Sequence, residues 1–283
     1  MIVKKLFLKI LIYLYDKKGI TISKYRQETI LEKNYYVLKG SIRKNPDYDD
    51  AWLFALAQDA EIIFDIGANI GQAALIMMHS NSIQKIFLVD PNPLALGQAA
   101  NNLIFNHLSH NAHFICSFAS DKIDQLVPLY TVLNGASGST YPDNAKTAAK
   151  MNIVYNVPTT TIDALIDQFD VIPDLVKIDT EGAELLVLKG AEKLTLNGKT
   201  RFFVEMHSNP KMPMIENAEK VINWCKDHQY QAWYLKEKQP LTKPEQIAHH
   251  GRCHLLLLPQ NMGFPEYLLP LKQGARFEEV ETQ

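Results

Sequence analysis

The chain has 283 residues, of which 47% are apolar and 21% are charged, and its formal net charge at pH 7 is −2. This length suits one large α/β domain with extensions at its ends. The near-balance of 29 basic and 31 acidic side chains gives no electrostatic footprint for nucleic acid, so we expect no nucleic-acid partner. The three cysteines have neither disulfide-framework nor zinc-ligand spacing, which favours a reduced, cytoplasmic location.

An apolar segment with basic flanks lies near the N-terminus, at residues 4–18. Its apolar stretch, Leu6 to Tyr15, is interrupted by Lys9 and has about half of the ~20 residues that a bilayer-spanning helix needs. No small-residue cleavage site follows, so a signal peptide is not predicted. Two interpretations remain open: a helix docked on the domain, or a helix on a membrane surface that gives peripheral membrane contact.

From about residue 61 the sequence alternates short apolar runs with helical patterns. The first run, Glu61 to Asp65, precedes a glycine turn and a helical stretch that ends near His79. The second, Ile86 to Asp90, leads into a helix that ends near Asn106, and the third spans Ala112 to Phe118. Near-continuous apolar strands that alternate with helices predict a parallel sheet covered on both faces.

Residues 122–160 interrupt this alternation. Val127 to Val132 and Val157 to Thr161 are predicted as extended segments, with a polar loop from Asn134 to Thr140 after the first. We therefore expect a hairpin-like insertion. The loop is rich in Gly and Ser, and it is interpreted either as a lid over an acceptor or as an inert turn.

The alternation resumes after the insertion and continues to about residue 259. The last two strands are closely spaced, which favours an antiparallel edge. We expect an N-terminal helical extension at 1–58, a main domain at 59–260 and a C-terminal extension at 261–283. The predicted elements are strands at Leu175 to Asp179, Arg201 to Met206, Gln231 to Leu235 and Cys253 to Leu258, with helices at Ala183 to Lys193 and Ile215 to His228.

The turn after the first strand has the features of a nucleotide site. Asp65 ends the strand, and Gly67 and Gly71 flank the turn, where glycine permits a tight backbone and close helix packing. Asp90 closes the second strand 19 residues after Gly71, and an acid about 20 residues on can accept hydrogen bonds from ribose hydroxyls. Ligands of open parallel sheets bind beyond the carboxyl ends of the strands, where both acids are expected.

The same turn departs from the fingerprint of dinucleotide-binding proteins. Asn69 replaces the middle glycine of GxGxxG, the residue that lets a pyrophosphate approach the backbone. The carboxylate of Asp65 would repel a pyrophosphate and attract a cationic amino-acid group. S-adenosylmethionine (SAM) carries a ribose and an amino-acid moiety but no phosphate, so the residues favour SAM over NAD as the cofactor.

Charged residues also end the strand near residue 175. Lys177 and Asp179 point the same way because side chains alternate along a strand, and Glu205 and His207 do so at the end of the next strand. Charges that end a buried strand are costly unless they are paired or functional. If these strands are neighbours, the four side chains converge beside the Asp65 turn.

Five segments occur in order at plausible spacing: Asp65–Gly71, Val89–Pro93, Lys177–Glu184, Leu188–Gly190 and Val204–His207. Together they resemble the FkbM-type methyltransferases, over about residues 60–210. The likeness implies a Rossmann-like class I methyltransferase fold with a seven-stranded, mostly parallel sheet, helices on both faces and one antiparallel edge strand. It also implies SAM-dependent methyl transfer to a hydroxyl oxygen. Asp90 departs mildly from the family, which often has Glu there.

The resemblance implies a cofactor site and leaves the acceptor to be inferred. We expect a small-molecule or saccharide acceptor, with a sugar hydroxyl preferred. The implied cofactor residues are Asp65, Gly67, Asn69 and Asp90, and the predicted site also includes Ala68, Gly71, Pro91 and Ser120.

The predicted catalytic residues are Lys177, Asp179, Glu181, Glu205 and His207. Asp179 or His207 is expected to take the hydroxyl proton, a step typically worth about 10²–10⁴-fold. The other three would set charge and orientation and place the acceptor. Each has a structural alternative, such as an ion pair that only supports the sheet. A divalent metal ion held by Asp179, Glu205 and His207 is a less favoured alternative.

Two other function classes remain as alternatives. An NAD-dependent oxidoreductase would keep the ribose contact of Asp90 but would place a pyrophosphate against Asn69 and Asp65. A non-catalytic binding module on a methyltransferase scaffold is disfavoured, because the nucleotide constellation is intact. The amide-aromatic motif of many nitrogen-methylating enzymes is missing, since residues 178–181 read Ile-Asp-Thr-Glu.

Overall fold

The computed structural model describes residues 25–30, 33–42, 49–131, 138–139, 154–208 and 212–281. The strands are β1 Tyr25–Ile30, β2 Lys33–Leu38, β3 Ile62–Ile66, β4 Lys85–Val89, β5 Ala112–Ile115, β6 Phe118–Ala119, β7 Leu126–Thr131, β8 Gly138–Ser139, β9 Val154–Thr160, β10 Leu175–Ile178, β11 Arg201–His207, β12 Tyr230–Tyr234, β13 Gln239–Pro240 and β14 Arg252–Pro259. The helices are α1 Asp50–Ala57, α2 Gln72–Met77, α3 Pro93–Phe105, α4 Ile162–Phe169, α5 Glu184–Lys189, α6 Glu192–Thr195, α7 Met214–Asp227 and α8 Glu278–Glu281. None of the helices in this part of the chain has the length and apolar character needed to cross a membrane.

The large sheet has eight strands in the order β13-β12-β14-β11-β10-β3-β4-β5. Neighbours from β11 to β5 are parallel, whereas β14 is antiparallel to both β11 and β12. The predicted Rossmann-like methyltransferase fold, with its antiparallel pairing towards one edge, is confirmed. The strand count is eight rather than seven, because β13 adds a two-residue edge strand. The two residues of β13, Gln239 and Pro240, show no alternation of apolar side chains from which a strand could be predicted. Proline is tolerated there because β13 lies at the edge of the sheet.

Both faces of this sheet are covered. Along β3, Phe64 and Ile66 pack into one hydrophobic cluster, while Ile63, the residue before Phe64, packs into the other. The same alternation separates Phe202 from Phe203 on β11. Side chains of a strand point alternately to opposite faces, so a continuous apolar run serves two cores at once.

The described part of the predicted N-terminal helical extension contains a β-hairpin as well as helix α1. Strands β1 and β2 pair antiparallel, and Tyr35 and Val37 of β2 are buried while Tyr36 between them is exposed. Asn102 of α3 and Asn106, which caps the end of α3, accept hydrogen bonds from Leu38 N and Tyr36 N, at 2.8 and 2.7 Å. The hairpin is therefore held by amides of a distant helix, which a local pattern does not indicate. The apolar segment at residues 4–18 lies outside the described residues.

A smaller sheet, in the order β6-β9-β7-β8, lies after β5. The run predicted as one strand at 112–118 is divided between the two sheets, with β5 on the large one and β6 on the small one. β7 and β9 pair antiparallel where a hairpin-like insertion is expected. Of the predicted lid or turn at Asn134 to Thr140, the structure describes only Gly138 and Ser139, so that interpretation falls mostly outside the described residues.

Candidate active site

The turn after β3 is compact against two other elements. Gly67 N and Ala68 N both donate to Val89 O, at 2.9 and 3.1 Å, which ties the turn to β4. Gly67 and Gly71 have φ values of +78° and +82°, and a Cβ on Gly71 would lie 2.9 Å from Ala99 Cβ. Glycine is therefore required here for conformation and for close packing.

Asp90 fixes the conformation of the turn and the start of α3. Its Oδ2 accepts from Asn69 N and its Oδ1 from Asn92 N, both at 2.8 Å. Asn92 in turn caps α3, and Pro91 O accepts from Cys116 Sγ at 3.8 Å. Burial raises the pKa of Asp90, and the two backbone hydrogen bonds oppose that shift. A carboxylate has about four lone-pair sites, so two acceptor positions remain for ribose hydroxyls.

Asp65 lies beneath the turn rather than at its mouth. Its side chain is 0% exposed, and its Oδ1 lies 3.1 Å from Lys177 Nζ. The same ammonium donates to Gly67 O at 2.9 Å and lies 3.7 Å from Asp179 Oδ2. Burial disfavours the charged lysine, but Asp65 and Asp179 outweigh it and raise the pKa of Lys177. Asp65 therefore supports the turn through Lys177, and its predicted contact with the cofactor stays a prediction.

The parallel register brings the other predicted catalytic side chains to the same edge. Lys177 is aligned with Asp65 on β3 and with Phe203 on β11, so Asp179 and Glu205 follow side by side. One ligand-type atom each from Asp179, Glu205 and His207 lies within 4.8 Å of the others. Such a spacing is compatible with a divalent ion, but these groups are also engaged in ion pairs, so metal binding stays a less favoured prediction.

Asp179 differs from its neighbours in charge. Its side chain is 31% exposed, and burial raises its pKa to about 7, with Lys177 opposing and Glu205 adding to the rise. Burial also acts against ionisation of Glu205, but the charges of His254, His207 and Arg252 lower its pKa to about 2. At neutral pH one carboxyl can exchange a proton while the other remains ionised.

His207 is held by a buried carboxylate. Its Nδ1 donates to Glu184 Oε1 at 2.9 Å, while its Nε2 lies 3.7 Å from both Glu181 Oε2 and Glu205 Oε1. Burial would lower the pKa of His207, but Glu184, followed by Glu181 and Asp179, raises it to about 9. His207 is therefore an imidazolium at neutral pH, with Glu184 fixing the orientation of its ring.

Several residues of this network have no role in the predicted site. Glu184 also accepts from Gly182 N at 2.8 Å and is 0% exposed, although the four residues that follow it in the helix are apolar. Arg252 Nε lies 3.0 Å from Glu205 Oε1, and His254 Nε2 lies 3.8 Å from Glu205 Oε2 and 3.9 Å from Asp49 Oδ2. In the sequence, the feature that could have indicated this part of the network is His254, a polar residue directly before the apolar run of β14.

Ser120 is tied to the smaller sheet. Its backbone N–H donates to Thr160 O at 2.8 Å, and its hydroxyl donates to Asp121 at 3.2 Å. Its carbonyl oxygen would lie 2.1 Å from a Cβ on Gly190, which explains the glycine of the Leu188–Gly190 motif. The structure thus gives Ser120 a packing role, and its predicted cofactor contact stays a prediction.

The turn fits SAM better than a dinucleotide. The Gly67 backbone is covered by Asp179 O, since a Cβ there would lie 1.8 Å from that oxygen. Asp90 retains acceptor capacity, and a partly exposed carboxyl, Asp179, stands beside the turn, where it would repel a pyrophosphate. The side chains around the turn are thus acidic, and the turn lacks the middle glycine that a pyrophosphate requires.

The Methyltransferase FkbM domain matches residues 65–232, which is more than half of the chain, and this match confirms the resemblance predicted from the motifs. No curated protein gives a match. The matched region begins at Asp65 and covers every predicted site residue.

Several solved structures are similar in fold. The FkbM methyltransferase of Methylobacillus flagellatus is 17% identical with a TM-score of 0.46, over 70% of this chain and 43% of that chain. M. jannaschii TYW2 in complex with AdoMet is 12% identical with a TM-score of 0.41, over 84% and 85%. A complex of aTrm5 with tRNALeu is 11% identical with a TM-score of 0.43, over 84% and 53%. This chain spans less than half of the Methylobacillus protein.

These neighbours correct one prediction. They include tRNA methyltransferases, one of them solved with tRNA, so the expectation of no nucleic-acid partner is contradicted. The physical reason is that a net charge of −2 is an average over the whole chain. A balanced total does not exclude a locally basic surface.

Proposed function

Because the chain belongs to the FkbM methyltransferase family, we propose that it transfers the methyl group of SAM to a hydroxyl oxygen of a small acceptor, preferably a sugar. The observation that carries this proposal is Asp179, a partly exposed carboxyl with a pKa raised to about 7 beside the glycine turn. A hydroxyl must lose its proton as oxygen attacks, and a base that titrates near neutral pH is suited to accept it.

The cofactor would be held by the turn and by the end of β4. Gly67, Ala68 and Asn69 would line it, and Asp90 would accept hydrogen bonds from the ribose. When bound, SAM supplies a methyl group already activated on a positively charged sulfur. The chain's own residues then have to orient the acceptor and remove its proton, and alignment alone can be worth roughly 7–11 kcal/mol.

The proton passes to Asp179 in this proposal, rather than to His207. With a pKa raised to about 9, His207 is already protonated at pH 7 and has no free base to offer. It acts instead as a fixed cation whose Nε2 lies among Asp179, Glu181 and Glu205. The positive charges of the His207 imidazolium and of Lys177 both favour the ionised form of Asp179, which is the form that can accept a proton.

Lys177, Glu205 and Glu181 complete the proposed roles. Lys177 positions the carboxyl of Asp179 and the carbonyl of Gly67 at the same time. Glu205 stays ionised and orients His207 and Arg252. Glu181 is 62% exposed, which suits a contact with the acceptor. Oxygen is favoured over nitrogen because carboxylates follow β10 where an amide-aromatic motif would stand.

The test is a methyl-transfer assay with isotope-labelled SAM and pools of sugars, phenols, amines and tRNA, followed by mass spectrometry of the product. We expect an O-methylated small molecule, and loss of about 10²-fold or more in rate for Asp179→Asn. Asp170→Asn is the matched control, because Asp170 is an exposed helix-ending residue outside the site. Methylation of an amine or of a tRNA base would overturn the proposal.

A further inference from the structure

A pocket of about 280 Å³ lies at the carboxyl edge of the sheet, and Arg252 in its wall contacts Glu205 of the catalytic cluster formed by Asp179, Glu205 and His207. Its volume is near the lower end of the ~300–1,000 Å³ typical of ligand sites, which suits one substituted ring. Its wall includes aromatic, basic and imidazole side chains: Trp52, Tyr234, Lys236, Arg252, His250 and His254.

Glu205 joins this pocket to the catalytic cluster. Its Oε1 lies 3.0 Å from Arg252 Nε and 3.7 Å from His207 Nε2, and its Oε2 lies 3.8 Å from His254 Nε2. Arg252 begins the antiparallel strand β14, and Tyr234 ends β12, so both lie where the parallel strands end. A molecule in the pocket would therefore extend over Glu205 towards Asp179.

The wall contains an imidazole with one nitrogen that needs a partner. His254 is 3% exposed, and its Nε2 lies 3.8 Å from Glu205 Oε2 and 3.9 Å from Asp49 Oδ2, whereas its Nδ1 has no hydrogen-bond partner among the described residues. Buried polar atoms of this kind are rare in folded proteins and call for an explanation such as a ligand or a water molecule. A hydroxyl group can both donate and accept, so it would satisfy His254 whichever tautomer is present.

The wall is also basic. Lys236 and Arg252 contribute two cations, of which Arg252 is also paired through its Nε with Glu205, and no carboxylate stands among the described residues that line the pocket. Burial lowers the pKa of His250, and the charges of His249 and Lys236 add to this, with Glu237 opposing. Trp52 and Tyr234, which are 1% and 2% exposed, form the buried aromatic part of the wall, as is common in ligand pockets.

We propose that this pocket binds the non-reacting end of the acceptor, and that this end is a hydroxylated ring carrying a phosphate or a carboxylate. The proposal rests on the proposed function and names its substrate class. Lys236 and Arg252 would pair with the anion, His254 would bond a ring hydroxyl, and the hydroxyl to be methylated would extend past Glu205 towards Asp179.

The experiment is calorimetry on the full chain saturated with S-adenosylhomocysteine, using D-glucose, D-glucuronate and D-glucose 6-phosphate as probes. We expect at least one anionic probe to bind about 5-fold or more tightly than glucose, since partly exposed charge pairs are worth up to about 1 kcal/mol each. Lys236→Met should remove that preference. Lys85→Met is the matched control, because Lys85 is exposed at the start of β4, on the opposite edge of the sheet.

The outcomes separate this inference from the proposed function. If S-adenosylhomocysteine binds but neither anionic probe binds better than glucose, the inference is wrong and the methyltransferase proposal stands. An equal effect of Lys236→Met and Lys85→Met would likewise overturn it. Failure of S-adenosylhomocysteine itself to bind the folded chain would count against the proposed function first. A preference for the phosphate probe alone, or for glucuronate alone, would identify which anion the pocket takes.

Discussion

The α-carbon of Gly67 lies so close to the backbone carbonyl of Asp179 that a Cβ on Gly67 would be 1.8 Å from that oxygen. Asp179 N in turn donates to Ile66 O at 3.0 Å, just before the turn. The cofactor turn and the proposed base thus share a backbone contact across β3 and β10. Any displacement of one moves the other, so binding and chemistry are expected to fail together when this contact is broken.

Gly67→Ala should abolish S-adenosylhomocysteine binding and lower the melting temperature. The substitution adds a Cβ against backbone, which cannot rotate away, and it also carries the cost of positive φ. Gly198→Ala is the control, since Gly198 has φ +63° but nothing within 4 Å of its Cβ position. It should cost about 1–2 kcal/mol of stability and leave binding unchanged. Equal effects of the two variants on binding would show that the contact between Gly67 and Asp179 is not needed to bind S-adenosylhomocysteine.

The parts of the site that could be predicted from the sequence are those whose residues lie close together along one segment of the chain. Asp65, Gly67 and Asp90 stand at strand ends or in a turn, where spacing along one segment is enough. Lys177 and Asp179 were recognisable because charges are unusual at the end of an apolar strand. The parallel arrangement followed from apolar runs alternating with helices.

Other parts depend on contacts between distant segments. Glu184 is recognisable as a partner of His207 only once β11 and α5 are in place. His254 becomes part of the network through the antiparallel pairing of β14 with β11, which places it opposite Glu205. The position of Asp65 at the mouth of the site was wrong for the same reason, because Asp65 is buried where the ammonium of Lys177 reaches it from the neighbouring strand.

Asp90→Asn should weaken S-adenosylhomocysteine binding by about tenfold or more, measured by calorimetry. The carboxylate uses both oxygens to hold Asn69 N and Asn92 N, and one of these would face an amide donor in the variant. Asp174→Asn is a matched control, since Asp174 Oδ2 accepts from Glu61 N and Ile62 N, both at 2.9 Å, at the start of the sheet. A similar loss of binding in both variants would indicate a general stability effect.

The rate should depend on ionisation of Asp179. Because the base must be deprotonated and its pKa is about 7, kcat/KM should fall about tenfold per pH unit below 7 and level off above it. The profile would be measured between pH 5.5 and 8.5, with Asp179→Asn expected to be slow and nearly flat. If kcat/KM instead rises with pH until about pH 9, the base would be His207, whose pKa is about 9.

The pair of His207 and Glu184 should stabilise the fold in a pH-dependent manner. The pKa of His207 is raised from 6.5 to about 9 on folding, so its contribution is complete below pH 6.5 and is lost as pH rises through 9. Glu184→Gln keeps an acceptor oxygen but removes the charge. It should cost on the order of 2 kcal/mol in urea unfolding at pH 6 and little at pH 9.5. Glu192→Gln, at an exposed position in the first turn of α6, should show no such dependence.

Lys177→Met should be strongly destabilising, by about 3–5 kcal/mol in urea unfolding, because it leaves the fully buried Asp65 without a cation. Asp65→Asn alone should cost less, since Lys177 keeps Gly67 O and Asp179. In the double variant the buried charge is gone, and most of the loss should be recovered, apart from about 1 kcal/mol for the hydrogen bond to Gly67 O. Additive losses in this double-mutant cycle would mean that Asp65 and Lys177 do not stabilise each other, and that the ammonium supports the turn through Gly67 and Asp179 alone.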